Sequence, residues 1–170
     1  MGQSKQDQSK QEQSKQGQAK QDQAKQNGTS TADTSHIVSG IQEMLERYRL
    51  TFVDLAVGKR SDMEVLLEFY GAPLRFIGPT FHTVMKDSAA IIGPTGVGGE
   101  IDRLRQTNFA ESALERCDIN VLNDRAAVVD ALWLRRDNTG ALMARVVMTY
   151  LVALTEEGWR ITSAVVRGGS

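Results

Sequence analysis

Ala144-Arg145-Val146-Val147-Met148-Thr149-Tyr150-Leu151-Val152-Ala153-Leu154 decides the fold. At the two-residue period of a strand, Ala144, Val146, Met148, Tyr150, Val152 and Leu154 share one face. Val147, Leu151 and Ala153 share the other, with Arg145 and Thr149 between them. An antiparallel strand ordinarily turns one polar face to water, so a strand apolar on both faces needs two covers. Helices upstream supply one. A second copy of the chain is the expected cover for the other.

The neighbouring segments read as strands too, over 113–122, 126–136, 141–155 and 159–166. Asn123-Asp124, Asp137-Asn138-Thr139-Gly140 and Glu156-Glu157-Gly158 are turn signals between them. A turn over 137–140 pairs Arg136 with Ala141, Trp133 with Ala144 and Asp130 with Val147. Trp133 then joins Val129 and Ala131 on the face of Val146, Met148 and Tyr150. Asp130, Leu132, Leu134, Arg145, Val147 and Leu151 fall on the opposite face. That register makes Asp130 and Arg145 diagonal neighbours, within reach of an ion pair.

Upstream, Asp33-Thr34-Ser35 offers three helix caps in a row. Ile37, Ile41, Leu45, Tyr48, Phe52 and Leu55 then recur at three- and four-residue steps, one apolar helical stripe that Gly58 ends. Ser61 with Glu64 reads as a capping box for a second helix over 62–70, stopped by Gly71 and Pro73. Short strands over 74–77 and 81–85 flank Gly78-Pro79-Thr80. A third helix is broken by the glycine-rich run 93–99 and resumes over 99–106.

Residues 3–27 are the repeat QSKQD, QSKQE, QSKQG, QAKQD, QAKQN. A period of five matches neither helix nor strand, and no residue in it is larger than alanine among the apolar ones, so nothing offsets the entropy of ordering. Residues 1–34 are expected to be a disordered tail and linker, and 35–167 one α+β domain. Met1-Gly2 invites an N-terminal acyl anchor, but Gln6 stands where that signal wants Ser or Thr.

A net charge of −1 does not suit a dedicated nucleic-acid binder. No run reaches the ~18 apolar residues of a membrane helix, and no secretory signal opens the chain. Cys117 is the one cysteine, with no zinc-ligand set around it. A cytoplasmic protein without metal or cofactor is the expectation.

Helix, helix, short hairpin, broken helix and long meander form an order that resembles the nuclear transport factor 2-like superfamily. Leu66-Leu67-Glu68-Phe69-Tyr70-Gly71-Ala72-Pro73-Leu74 and Gly158-Trp159-Arg160-Ile161-Thr162-Ser163-Ala164 look like a bacterial family of unknown function within it. The resemblance implies a cone: three N-terminal helices packed on a curved, mainly antiparallel sheet, an apolar pocket inside, and a convex face that often pairs two copies. Tyr48, Phe52, Trp133 and Tyr150 would converge on that pocket. Asp130, Leu132, Leu134, Arg145, Val147 and Leu151 would form the dimer face.

The ketosteroid isomerases of this superfamily use a carboxylate base and two oxyanion donors. Their base falls on about Gly78 here, and their donors on about Phe52 and Tyr150. Only Tyr150 carries a donor, and glycine abstracts no proton. The superfamily's epoxide hydrolases use an Asp–Arg–Asp set, which draws attention to Asp130 and Arg145, yet strand parity puts both outside the cone. His82, on the short hairpin, is the one histidine within the fold proper. Gly93-Pro94-Thr95-Gly96-Val97-Gly98-Gly99-Glu100 lacks the Lys-Ser/Thr of a phosphate loop and reads as a lip over the pocket. Two functions follow. One is a homodimeric binding module for a small apolar ligand. The other is a small cyclase, isomerase or dehydratase acting on a hydrophobic carbonyl compound, with His82 and Tyr150 as its polar groups.

Overall fold

The computed structural model describes residues 34–169. The repeat tail lies outside them. Helix α1, Ser35–Ala56, carries the expected stripe: Ile37, Ile41, Leu45, Tyr48, Phe52 and Leu55 are all buried, and Met44 joins them. The second expected helix is a single 3-10 element, Met63–Glu68. Asp62, not Ser61, caps it by accepting from the Glu64 amide. Phe69 ends it, so Tyr70 starts a strand instead of closing a helix.

Strands β1 (Tyr70–Gly78) and β2 (Phe81–Met85) form the short hairpin. Two short helices follow, α2 (Ser88–Ile92) and α3 (Val97–Arg105), before the meander β3 (Phe109–Asn123), β4 (Ala126–Asp137), β5 (Leu142–Thr155) and β6 (Gly158–Gly169). Among the described residues, two of the three α-helices thus come after the first hairpin. The glycine-rich run between α2 and α3 is a packed junction. A Cβ on Gly98 would sit 1.9 Å from the Ile92 carbonyl oxygen, and one on Gly99 would sit 1.9 Å from that of Pro94. Glycine is there because two backbones touch. Arg105 then ties α3 to α1, donating to the carbonyls of Leu55 and Arg60.

The sheet order is β2-β1-β6-β5-β4-β3. All neighbours are antiparallel except β1 and β6, which run parallel with Phe76 beside Ala164. The β1–β2 hairpin therefore extends the meander into one six-stranded sheet. Helix α1 packs on one face, where its stripe meets Ala127, Val129, Ala131, Met148, Val152 and Ile161 in one core.

The β4–β5 register differs from the expected one by two residues. Asp130 lies opposite Thr149, Trp133 opposite Val146 and Leu134 opposite Arg145. One residue comes from the hairpin loop. The Asp137 amide bonds the Ala141 carbonyl, and Gly140 sits at φ +83, which makes a three-residue loop. The other comes from a bulge on β5 beside Arg135 and Arg136. A shift of two leaves every side chain on its expected face. It does remove the expected Asp130–Arg145 pair, because Arg145 now lies four residues from Asp130's partner. Asp130 instead accepts from Thr149 and pairs with Arg167 of β6 at 2.9 Å. Among the described residues no helix is long and apolar enough to cross a membrane.

Candidate functional site

Between α1, α3 and the helix-covered face of the sheet lies a cavity of about 330 Å³. Ligand sites begin near this size, at roughly 300 Å³. Strand parity explains much of its wall. Trp133 and Arg135 come from β4, Val146, Met148 and Tyr150 from β5, and Ala164, Val166 and Gly168 from β6. Helix α1 contributes the adjacent Tyr48 and Arg49 and, one turn on, Phe52, and α3 contributes Val97, Glu100 and Arg103. Tyr70, Phe76 and Phe81 complete the wall from the β1–β2 side, with Ser112 from β3. Tyr48, Phe52, Trp133 and Tyr150 thus lie on one cavity.

The interior is aromatic with a polar seam. Tyr48 packs edge-on against Phe69, Tyr70 and Trp133. Tyr70 donates its hydroxyl to that of Tyr48 at 2.8 Å, and the Trp133 indole N–H donates to the Tyr150 hydroxyl at 3.0 Å. Burial pushes all three phenols above the usual tyrosine value of 10.0, Tyr70 and Tyr150 well above it. Arg135 pulls in the opposite direction on each of them, too weakly to prevail. The phenols are therefore protonated near neutral pH. Three hydroxyl hydrogens share one O–H···O bond between them, so two remain to donate into the cavity.

Charge gathers on the α3 side. Glu100 accepts from Arg135 through one oxygen at 2.7 Å and from Arg103 through the other. Burial pushes the Glu100 carboxyl up, but hydrogen bonds and charge from Arg103 and Arg135 outweigh it. The net position is below the ordinary 4.5. The Arg135 guanidinium also lies over the Phe52 ring, 5.7 Å from its centre. Arg49, also on the wall, is held by both oxygens of Glu46 at 2.6 and 2.8 Å.

His82 is exposed on β2 and does not line the cavity; its neighbour Phe81 does. The pairing of His82 with Tyr150 at one site is therefore corrected. Gly78 stands where the resemblance puts a base. A Cβ there would meet the Phe81 ring at 2.2 Å, so this glycine seats an aromatic wall residue. On the opposite sheet face, Leu132 and Val147 are half-buried, Leu151 is 39% exposed, and Arg145 is exposed. Leu134 is already buried within one chain, between Ala113 and Arg145 on the flanking strands, which leaves it little to offer a partner. Cys117 is half-buried, and burial pushes its thiol up, as for an inert small hydrophobe. Among the described residues no acidic, histidine or cysteine cluster could hold a metal ion.

Tyr70, Arg135 and Glu100 were missed from sequence. Arg135 had a signal, since it shares Trp133's parity two residues on. Tyr70 was assigned to a helix end, and Glu100 was hidden by the irregular glycine run.

A helix-covered, mainly antiparallel curved sheet with a cavity inside is the cystatin-like architecture of the NTF2-like proteins. The chain belongs to one such family, described as NTF2-like protein (DUF6841), which matches residues 33–169. No curated protein matches the chain. Among solved structures it is similar to an NTF2-like superfamily protein from Salmonella enterica, with 23% identity and a TM-score of 0.57 over 79% of this chain and 92% of that one. A protein of unknown function with a cystatin-like fold from Nostoc punctiforme gives 13% and 0.58, over 78% and 91%. An NTF2-like protein from Novosphingobium aromaticivorans gives 16% and 0.57, over 81% and 89%. At these identities the likeness is one of fold.

The Glu100 carboxyl yields a pH test. A folded-state pKa below the unfolded 4.5 contributes stability above that pH and loses it as pH falls through the folded value. Glu100→Gln is expected to melt a few degrees below the parent at neutral pH. That gap should close as pH falls below 4.5, as followed by thermal melts in circular dichroism. A gap that does not change with pH would contradict the pairing.

Proposed function

We propose that this protein is a small-molecule binding module that works as a homodimer. What carries the reading is the cavity: lined largely by aromatic and aliphatic side chains, it offers protonated phenol donors and no free base. Its one wall carboxylate, Glu100, is engaged by two arginines and held below its ordinary pKa, which suits it poorly for taking a proton. The enzyme reading keeps one supporting observation, the two unspent phenol hydrogens that could polarise a carbonyl. It lacks the proton acceptor that an isomerase or dehydratase needs, since His82 is exposed and does not line the cavity.

Trp133 reports on the site, because Trp159 is the only other tryptophan. In a Trp159→Phe background, the neutral ligand N-phenylnaphthylamine should quench Trp133 emission saturably. Ala164→Phe fills the cavity from the β6 wall and should abolish the effect, whereas His82→Ala should leave the midpoint unchanged. Turnover of a hydrophobic carbonyl compound that disappears in His82→Ala would instead support the enzyme.

The dimer rests on Leu132, Val147 and Leu151 of the open sheet face, flanked by the Asp130–Arg167 pair and Arg145. An interface of standard size, on the order of 1,600 Å² in total, would cover them. Sedimentation velocity should give a dimer at micromolar concentration and a monomer for Leu132→Arg, which would place a charge in the buried patch. A monomeric parent protein would refute this pairing.

A further inference from the structure

One carboxylate, Glu100, serves two guanidiniums, and they are unequal. The Arg103 side chain is 70% exposed and hydrated; that of Arg135 is 20% exposed. Arg135 spends one nitrogen, Nη1, on Glu100, and its other N–H groups have no acceptor among the described residues. A partly buried cation that shares its counterion is under-neutralised. Ser112 sits directly across the β3–β4 pairing from Arg135, is buried, lines the same wall, and donates its hydroxyl to nothing among the described residues. The two phenol hydrogens of the tyrosine seam complete a donor-rich, acceptor-poor wall.

We propose that the cavity takes a flat, apolar carboxylic acid as its anion, with the carboxylate on Arg135 and Ser112 and the body between Phe52, Trp133 and Met148. This rests on the reading of the cavity as a ligand site. Charge chooses the head group. Glu100, Arg103 and Arg135 sum to a single positive charge, and Arg49 is already neutralised by Glu46. A monoanion balances that excess, whereas a phosphate dianion overfills it. Geometry agrees, because a planar guanidinium fork matches a carboxylate in two parallel hydrogen bonds. The body is chosen by the wall, where aromatic rings meet edge-on and leave faces for a flat ligand.

The test uses two probes of one shape, the para isomers of biphenylcarboxylate and biphenylcarboxamide, titrated calorimetrically into the full chain at neutral pH. The acid should bind at least about tenfold more tightly than the neutral amide, the scale of one charge-assisted pair. Arg135→Met should bring the acid down to the amide's affinity. Glu100→Gln removes the competing counterion and should tighten the acid several-fold, a gain that no loss of structure can imitate; it decides the matter if Arg135→Met does not fold. Equal binding of acid and amide overturns the carboxylate while leaving the apolar cavity reading intact. Binding of neither overturns both. An acid preference that survives Arg135→Met removes Arg135 from the head-group site.

Discussion

Side-chain parity across the β4–β5 hairpin is the constraint on which the site depends. The three-residue loop closed by Gly140 adds one residue, and the bulge beside Arg135 adds another. Had only one of them been present, Trp133 and Arg135 would have shared a face with Val147 and Leu151 instead of Met148 and Tyr150. The contributions of the two strands to the cavity would then have been split between opposite faces of the sheet. Two local irregularities therefore cancel in parity, and they leave the aromatic set inside.

Inside, the physics is that of polar groups in a dry place. A buried hydroxyl without a partner costs about 1–3 kcal/mol. The chain meets this by pairing Tyr70 with Tyr48 and Trp133 with Tyr150, which satisfies each oxygen yet leaves hydrogens over. The same economy appears in charge, where Glu100 divides itself between Arg103 and Arg135. Both seams are complete enough to fold and incomplete enough to welcome an oxygen acceptor. The choice of that acceptor rests on this chain's own residues.

Much of the fold was legible because burial repeats at the period of the element. The α1 stripe from Ile37 to Leu55 and the alternation from Ala144 to Leu154 are such patterns; the stripe maps onto the core as read, and so does the alternation from Val146 to Val152, with Ala144 and Leu154 half-buried beyond it. What escaped had local causes. The 3-10 element at Met63–Glu68 is too short to show a period, so Tyr70 was placed at a helix end when it opens β1. The glycine run at 93–99 reads as a break in a helix by propensity, but close backbone packing between α2 and α3 demands those glycines. The Asp130–Arg145 pair failed because cross-strand neighbours depend on the exact turn, while faces depend only on parity. Arg135 was readable by the same parity that placed Trp133, but a charge on a strand drew the eye outward.

The chain's three tyrosines are Tyr48, Tyr70 and Tyr150, so tyrosine absorbance reports on this cavity and nothing else. An alkaline titration of the folded protein, followed at the tyrosinate band in the ultraviolet, tests the central claim most directly. With the phenols buried together, the tyrosinate transition should lie above the ordinary midpoint of 10.0, well above it for Tyr70 and Tyr150, or come with unfolding. Reversible ionisation near 10.0 while circular dichroism remains native would show phenols open to water and contradict the enclosed site.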